Sequence, residues 1–205
     1  MIGIIDYGLG NIGSIVNMLK KIRAPCMLVS NPEELKGIKK IILPGVGSFD
    51  AGASNLKATS LWDAIKVKVL DEQVPLLGIC LGMQLLFNKS EEGKEDGLGL
   101  VSGEIKRFDF SQMEQKLKIP HMGWNVVTPT KTDPLFFHMP HKEMRFYFTH
   151  SYHAVCAKPE NILAVTSYGY EFTCVVRNGN IFGVQFHPEK SHKFGMQLLK
   201  NFAEL

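Results

Sequence analysis

The first ninety residues alternate short apolar runs with amphipathic stretches, and this rhythm constrains the fold more than any other feature. Ile2 to Ile5 is an apolar run fit for a buried strand. Ile12, Ile15, Val16, Leu19 and Ile22 then recur at helical spacing, as on a helix laid against a sheet. Met27 to Val29 and Lys40 to Leu43 read as further strands, closed by the turn signals Asn31-Pro32 and Pro44-Gly45. Leu56 to Leu70 reads as a helix, Pro75 to Ile79 as a fourth strand, and Leu81 to Phe87 as another helix. This β-α-β-α rhythm predicts an α/β domain with a parallel sheet covered on both faces.

The second half changes character. Gly103 to Phe108, Trp124 to Val127, Phe146 to His150, Ile162 to Tyr168, Thr173 to Arg177 and Ile181 to Phe186 read as strands with turn-like connections. Asn178-Gly179 marks a hairpin between the last two. A final helix is expected from Lys193 to Phe202. No linker, repeat or low-complexity segment divides the chain, so residues 1–205 are expected to form one domain. Its central sheet should be mixed, mainly parallel, with extra antiparallel strands in the second half.

Composition narrows the class. Hydrophobic residues make up 45% and charged residues 21%, ordinary for a globular chain. The net charge is +3 and the lysines are scattered, so neither nucleic acid nor a membrane surface finds a basic patch. The longest apolar stretch, Val74 to Phe87, is too short to span a bilayer. Cys26, Cys80, Cys156 and Cys174 form no C-x-x-C pair, which removes the usual zinc and redox motifs. With no secretory leader at the N-terminus, a cytoplasmic location is expected.

One cysteine stands out. Gly78-Ile79-Cys80-Leu81-Gly82 lies where a predicted strand meets a predicted helix. Glycines on both sides allow a sharp turn that lifts the side chain above the sheet, as in a nucleophile elbow. The helix N-terminus favours thiolate, and the N–H of Leu81 faces the place where an oxyanion would form. A buried structural cysteine is the alternative. A thiolate nucleophile needs a base and the base an orienter. His187-Pro188-Glu189 leaves the end of the last predicted strand, so Glu189 could hold His187 in the required tautomer.

Other segments invite competing readings. Gly8-Leu9-Gly10-Asn11-Ile12-Gly13 matches the dinucleotide pattern G-x-G-x-x-G. The acidic residue expected after the second strand is missing, because Val29-Ser30-Asn31 stands there, so a structural turn is the simpler account. His138-Met139-Pro140-His141 offers a loop with two histidines, but no histidine spacing in the chain is that of a zinc site. No metal and no cofactor are expected.

Taken together, Gly78-Ile79-Cys80-Leu81-Gly82-Met83-Gln84 and His187-Pro188-Glu189 resemble the class I, triad-type glutamine amidotransferases. Further segments resemble the HisH branch, the glutaminase subunits of imidazole glycerol phosphate synthase. They are Asp6 to Asn11, Pro44 to Phe49, Ser90 to Gly93, Pro120 to Asn125, His150 to Tyr152 and Gly183 to Ser191, in order along essentially the whole chain.

The resemblance implies a flavodoxin-like three-layer fold and a reaction. Cys80 would form a γ-glutamyl thioester, with His187 as acid and base and Glu189 as its orienter. The N–H groups of Val46 and Leu81 would form the oxyanion hole, after a peptide flip at Val46. Gly47, Gln84, Glu92 and Ser151 would bind L-glutamine. Asn11, Trp124 and Lys190 would face a HisF-like (β/α)8 barrel cyclase in a heterodimer. Ammonia would pass to that barrel for histidine synthesis. Two rival readings are a relative serving another acceptor, such as a sugar in surface polysaccharide synthesis, and a non-catalytic nucleotide-binding module.

Overall fold

A computed structural model describes residues 1–114, 117–140 and 143–205. His141, half of the two-histidine loop, lies outside the described residues. The chain runs β1 (Ile2–Ile5), α1 (Ile12–Lys21), β2 (Cys26–Val29), β3 (Lys40–Leu43), α2 (Phe49–Ala58), α3 (Leu61–Leu70), β4 (Leu76–Ile79) and α4 (Leu81–Gln84). It continues with β5 (Lys89–Ser90), β6 (Gly103–Arg107), β7 (His121–Val126), β8 (Thr128–Pro129), β9 (Arg145–His150) and β10 (Tyr152–Cys156). The last elements are β11 (Ile162–Tyr168), β12 (Tyr170–Asn178), β13 (Ile181–Val184) and α5 (His192–Glu204).

The main sheet has the order β2-β1-β3-β4-β13-β12-β10-β6-β5. Its first five strands are mutually parallel, in the doubly wound order expected of a flavodoxin-like core. From β13 to β6 the pairing turns antiparallel, starting at the Asn178-Gly179 hairpin, where Asn178 pairs with Ile181, and the edge strand β5 is parallel to β6. β7 and β9 form a separate antiparallel pair beside this sheet.

Two apolar layers cover the sheet. Ile15 and Leu19 of α1 and Leu198 and Phe202 of α5 pack on one face, together with Ile2 and Ile4. Phe49 and Leu56 of α2 and Leu61 and Ile65 of α3 pack on the other, against Ile5 and Ile41. Residues of β1 therefore alternate between layers, as the pleat demands. Each fully buried Leu, Ile or Phe contributes about 1.5–3 kcal/mol, which holds the strand ends where the site is built.

Three expectations need correction. The helix expected over Leu56 to Leu70 is two helices, because Ser60 takes φ 58 and ends the first before Leu61 starts the second. The helix expected to reach Phe87 stops at Gln84. Beyond it, the Leu85 and Leu86 carbonyls accept from Leu98 and Leu100 N–H (2.7 and 2.8 Å), so the ladder cannot continue. Strand β10 was not anticipated, since buried His153 and Ala154 in succession hide its period of two.

Candidate active site

The strand ends β3 and β4 converge on Cys80. That residue has φ 54 and ψ −110, far from ordinary strand or helix values, and sits immediately before α4. Only close packing holds a non-glycine residue there. The packing is visible at the flanking glycines. A Cβ on Gly82 would lie 1.8 Å from the Leu43 carbonyl oxygen, and one on Gly78 would lie 2.6 Å from the Gly82 oxygen. Both positions therefore demand glycine for close backbone approach as well as for the turn.

β13 pairs in register with β4, Val184 opposite Ile79, so the segment after β13 leaves the sheet beside the elbow. His187 follows there, and Pro188 opens a short 3-10 turn that brings Glu189 back toward the ring. Nδ1 of His187 and Oε1 of Glu189 are 2.8 Å apart, with both side chains almost fully buried. Nε2 of His187 has no hydrogen-bond partner among the described residues, and Cys80 lines the same cleft as the ring. Burial opposes charge on His187, but its contacts with Cys80 and Glu189 outweigh burial and push its pKa up to about 9. That is the imidazolium a thiolate stabilises.

A cleft of about 350 Å³ opens over the sulfur. Its lining includes Val46, Gly47, Cys80, Leu81, Gln84, Glu92, Ser151, His187 and Lys190. Nine of the residues singled out in the sequence thus meet around one cavity, and Glu189 supports it from behind. Leu81 is the first residue of α4, so its N–H has no partner within the helix. Val46 is 41% exposed on the loop after β3. Glu92 is partly committed elsewhere, since one oxygen accepts from Phe49 N–H (2.8 Å) at the start of α2. Burial, only partly offset by that bond, raises its pKa.

Asn11 and Trp124 do not line the cleft. Asn11 precedes α1 and caps it without a side-chain hydrogen bond. Trp124, 47% exposed, stacks on His192 at 5.3 Å, and Met122 beside it is 62% exposed. Lys190 lies over the Tyr147 ring at 5.8 Å. The glycine pattern near the N-terminus packs as a turn: a Cβ on Gly10 would meet Pro44 at 3.1 Å.

Sequence reasoning missed three kinds of residue. Tyr7 is buried, and its hydroxyl donates to the Pro44 carbonyl at 2.7 Å, anchoring the loop that carries Val46. Burial, with Cys80 nearby, raises its pKa beyond the usual range for a phenol. His121 and His150 form a buried pair, Nδ1 to Nε2 at 3.1 Å. Burial holds them neutral, at about 4 and about 3. Their tautomers follow from chemistry. The Tyr152 carbonyl only accepts, so His150 donates to it from Nδ1 (2.7 Å) and accepts at Nε2 from His121 Nδ1. Asn125 Nδ2 completes the row at His121 Nε2 (3.3 Å). Gln185, fully buried, is the third. None carried a local signal, because their roles depend on partners distant in sequence.

A doubly wound sheet with a cysteine elbow, a His–Glu pair and a cleft over the sulfur has the parts needed for attack by a thiol on an acyl group. Comparison with known proteins agrees. The model of the family "Glutamine amidotransferase class-I" matches residues 3–205. The chain is 52% identical to imidazole glycerol phosphate synthase subunit HisH 2 of Methanococcus maripaludis, covering 100% of this chain and 99% of that one. It is 47% identical to the subunit HisH 2 of Pseudomonas aeruginosa, covering both chains completely. PurLQS from Thermotoga maritima superposes with a TM-score of 0.75 at 20% identity, over 99% of this chain and 97% of that one, a likeness of fold. The chain belongs to the class I glutamine amidotransferase family, among relatives of the HisH type.

Proposed function

We propose that this chain is the glutaminase subunit of an imidazole glycerol phosphate synthase, working in the cytoplasm as one domain over residues 1–205. The observation that carries the reading is the convergence of Cys80, His187 and Glu189 beneath one cleft. The Cys80 thiolate attacks the side-chain amide carbon of L-glutamine. Charge moves to the amide oxygen, which the N–H groups of Leu81 and Val46 receive. His187 gives its proton to the departing nitrogen, ammonia leaves and a γ-glutamyl thioester remains. His187 then takes a proton from water, which attacks the thioester and releases glutamate. Glu189 keeps the imidazole aligned throughout.

Gly47, Gln84, Glu92 and Ser151 hold glutamine in the cleft. Both polar hydrogens of Gln84 already have protein acceptors, so its free carbonyl oxygen is the part left for substrate. The oxygen of Glu92 not bonded to Phe49 receives the α-ammonium. Asn11, Trp124 and Lys190 meet a HisF-like (β/α)8 barrel, which takes up the ammonia in histidine synthesis.

A second reading has its own support. The relatives from M. maripaludis and P. aeruginosa are both numbered HisH 2, a numbering that leaves room for more than one such subunit. A second copy is free to serve another acceptor, such as a sugar. One experiment separates the readings. The chain should restore growth without histidine to a strain lacking its own glutaminase subunit. It should also co-purify with the barrel and turn over glutamine at least about tenfold faster with it than alone, as expected where the partner completes the catalytic constellation. Failure to complement despite binding another partner would favour the second reading.

A further inference from the structure

The Tyr152 carbonyl, already the acceptor for His150, also accepts from Gln84 Nε2 at 3.2 Å. The same Gln84 nitrogen donates to Gln185 Oε1 at 3.1 Å. Gln185 Nε2 then points at Cys80 Sγ, 3.8 Å away. Each orientation follows from the one before. A carbonyl cannot donate, so Gln84 must present its NH₂ group. Gln185 must therefore present oxygen to Gln84, and its own NH₂ group is left facing sulfur. Gln185 is fully buried, and its backbone N–H is held by the Cys174 carbonyl at 2.9 Å. The side chain is thus locked from both ends.

We infer that Gln185 is a further catalytic group of this site: its amide N–H donates to the Cys80 sulfur, and the Tyr152–Gln84 relay fixes that donor in place. A donor aimed at sulfur favours the thiolate over the thiol. It does so twice in a thioester cycle, once before attack and again when water displaces the sulfur and the C–S electron pair returns to it. The role rests on Cys80 being the nucleophile. It also explains why Gln84 is buried among protein partners: it holds the donor as well as facing the cleft.

The titratable groups around the sulfur are His187 after β13 with its partner Glu189 and Tyr7 after β1, with His150, Tyr152, Glu92 and Lys190 in the cleft lining. None is altered by the test, which reads the pH dependence of Cys80 alkylation by iodoacetamide, followed on its own peptide by mass spectrometry. Gln185→Met keeps the length and removes the donor; it should raise the apparent pKa of alkylation by about one unit. Gln185→Glu places a carboxylate at the sulfur and should raise it further. Gln84→Met frees the amide to turn and should raise it less than Gln185→Met does. The order wild type, Gln84→Met, Gln185→Met, Gln185→Glu is expected, among variants that retain the wild-type circular dichroism. An unchanged or lowered pKa in folded Gln185→Met or Gln185→Glu overturns the inference, and Gln84→Met provides the reading should both fail to fold. Alkylation needs no glutamine, so this outcome is separate from any failure of the chain to hydrolyse it.

Discussion

Cys80→Ala lowers glutamine hydrolysis at least about a thousandfold, because no other group of the cleft can form the proposed thioester. The loss falls on kcat, since the groups that hold glutamine remain. Thermal stability should stay close to wild type: the change removes one sulfur from a residue bordering an open cleft. If the proposed barrel partner takes up the ammonia, its reaction should persist when ammonium salt is supplied, as only the source of ammonia is lost. A variant that kept even a tenth of the wild-type rate would remove Cys80 from the mechanism.

Gly82→Ala has the largest expected effect on folding. Its Cβ would meet the Leu43 carbonyl oxygen at 1.8 Å and the Leu43 carbonyl carbon at 2.8 Å, both backbone atoms of the neighbouring strand. No side chain can rotate away, so either β3 or α4 must move. Overpacking of this kind costs about 3 kcal/mol or more, which in a chain of this size lowers the melting temperature by about 10 °C. Because β3 leads into the Val46 loop and α4 carries Leu81, activity should fall further than stability alone explains. Differential scanning calorimetry checks the first effect, and glutamine turnover well below the melting temperature checks the second. A melting temperature within a degree or two of wild type would show that the close approach of β3 and α4 is not required.

These two positions also show what a sequence can and cannot reveal. The elbow was legible because its chemistry is local: glycine, cysteine and glycine fall within five residues at a strand–helix junction. His187 and Glu189 were legible for the same reason, with proline between them. The parallel half of the sheet was legible because each β-α unit carries its own periodicity. The break at Ser60 was hidden, since a single left-handed residue leaves the apolar spacing on either side intact. The early end of α4 was hidden because no local breaker stops it: the Leu85 and Leu86 carbonyls accept from the N–H groups of Leu98 and Leu100, which lie well downstream in the chain.

Gln185, Tyr7 and the His121–His150 pair were hidden for the deeper reason that their function lies in what they touch. Gln185 stands inside a motif that the family resemblance highlights, yet nothing in its neighbours in sequence says that its amide meets sulfur 105 residues away in the chain. The two histidines could as readily have been metal ligands by residue type. The stacking of His121 on Phe148 and Tyr168, the packing of His150 on Phe148 and Phe172, and the fixed direction of their hydrogen bonds assign them to a neutral structural relay. The relay joins the strand that carries exposed Met122 and Trp124 to the cleft wall at Tyr152.

The central claim is that Cys80 is the glutamine nucleophile, and trapping tests it most directly. The chain, together with the proposed barrel partner, is treated with a diazoketone analogue of glutamine and mapped by peptide mass spectrometry, with and without excess glutamine. A single adduct on Cys80 is expected, suppressed by glutamine, with Cys26, Cys156 and Cys174 unmodified. An adduct on one of those three instead, or labelling of Cys80 that glutamine does not slow, would contradict it.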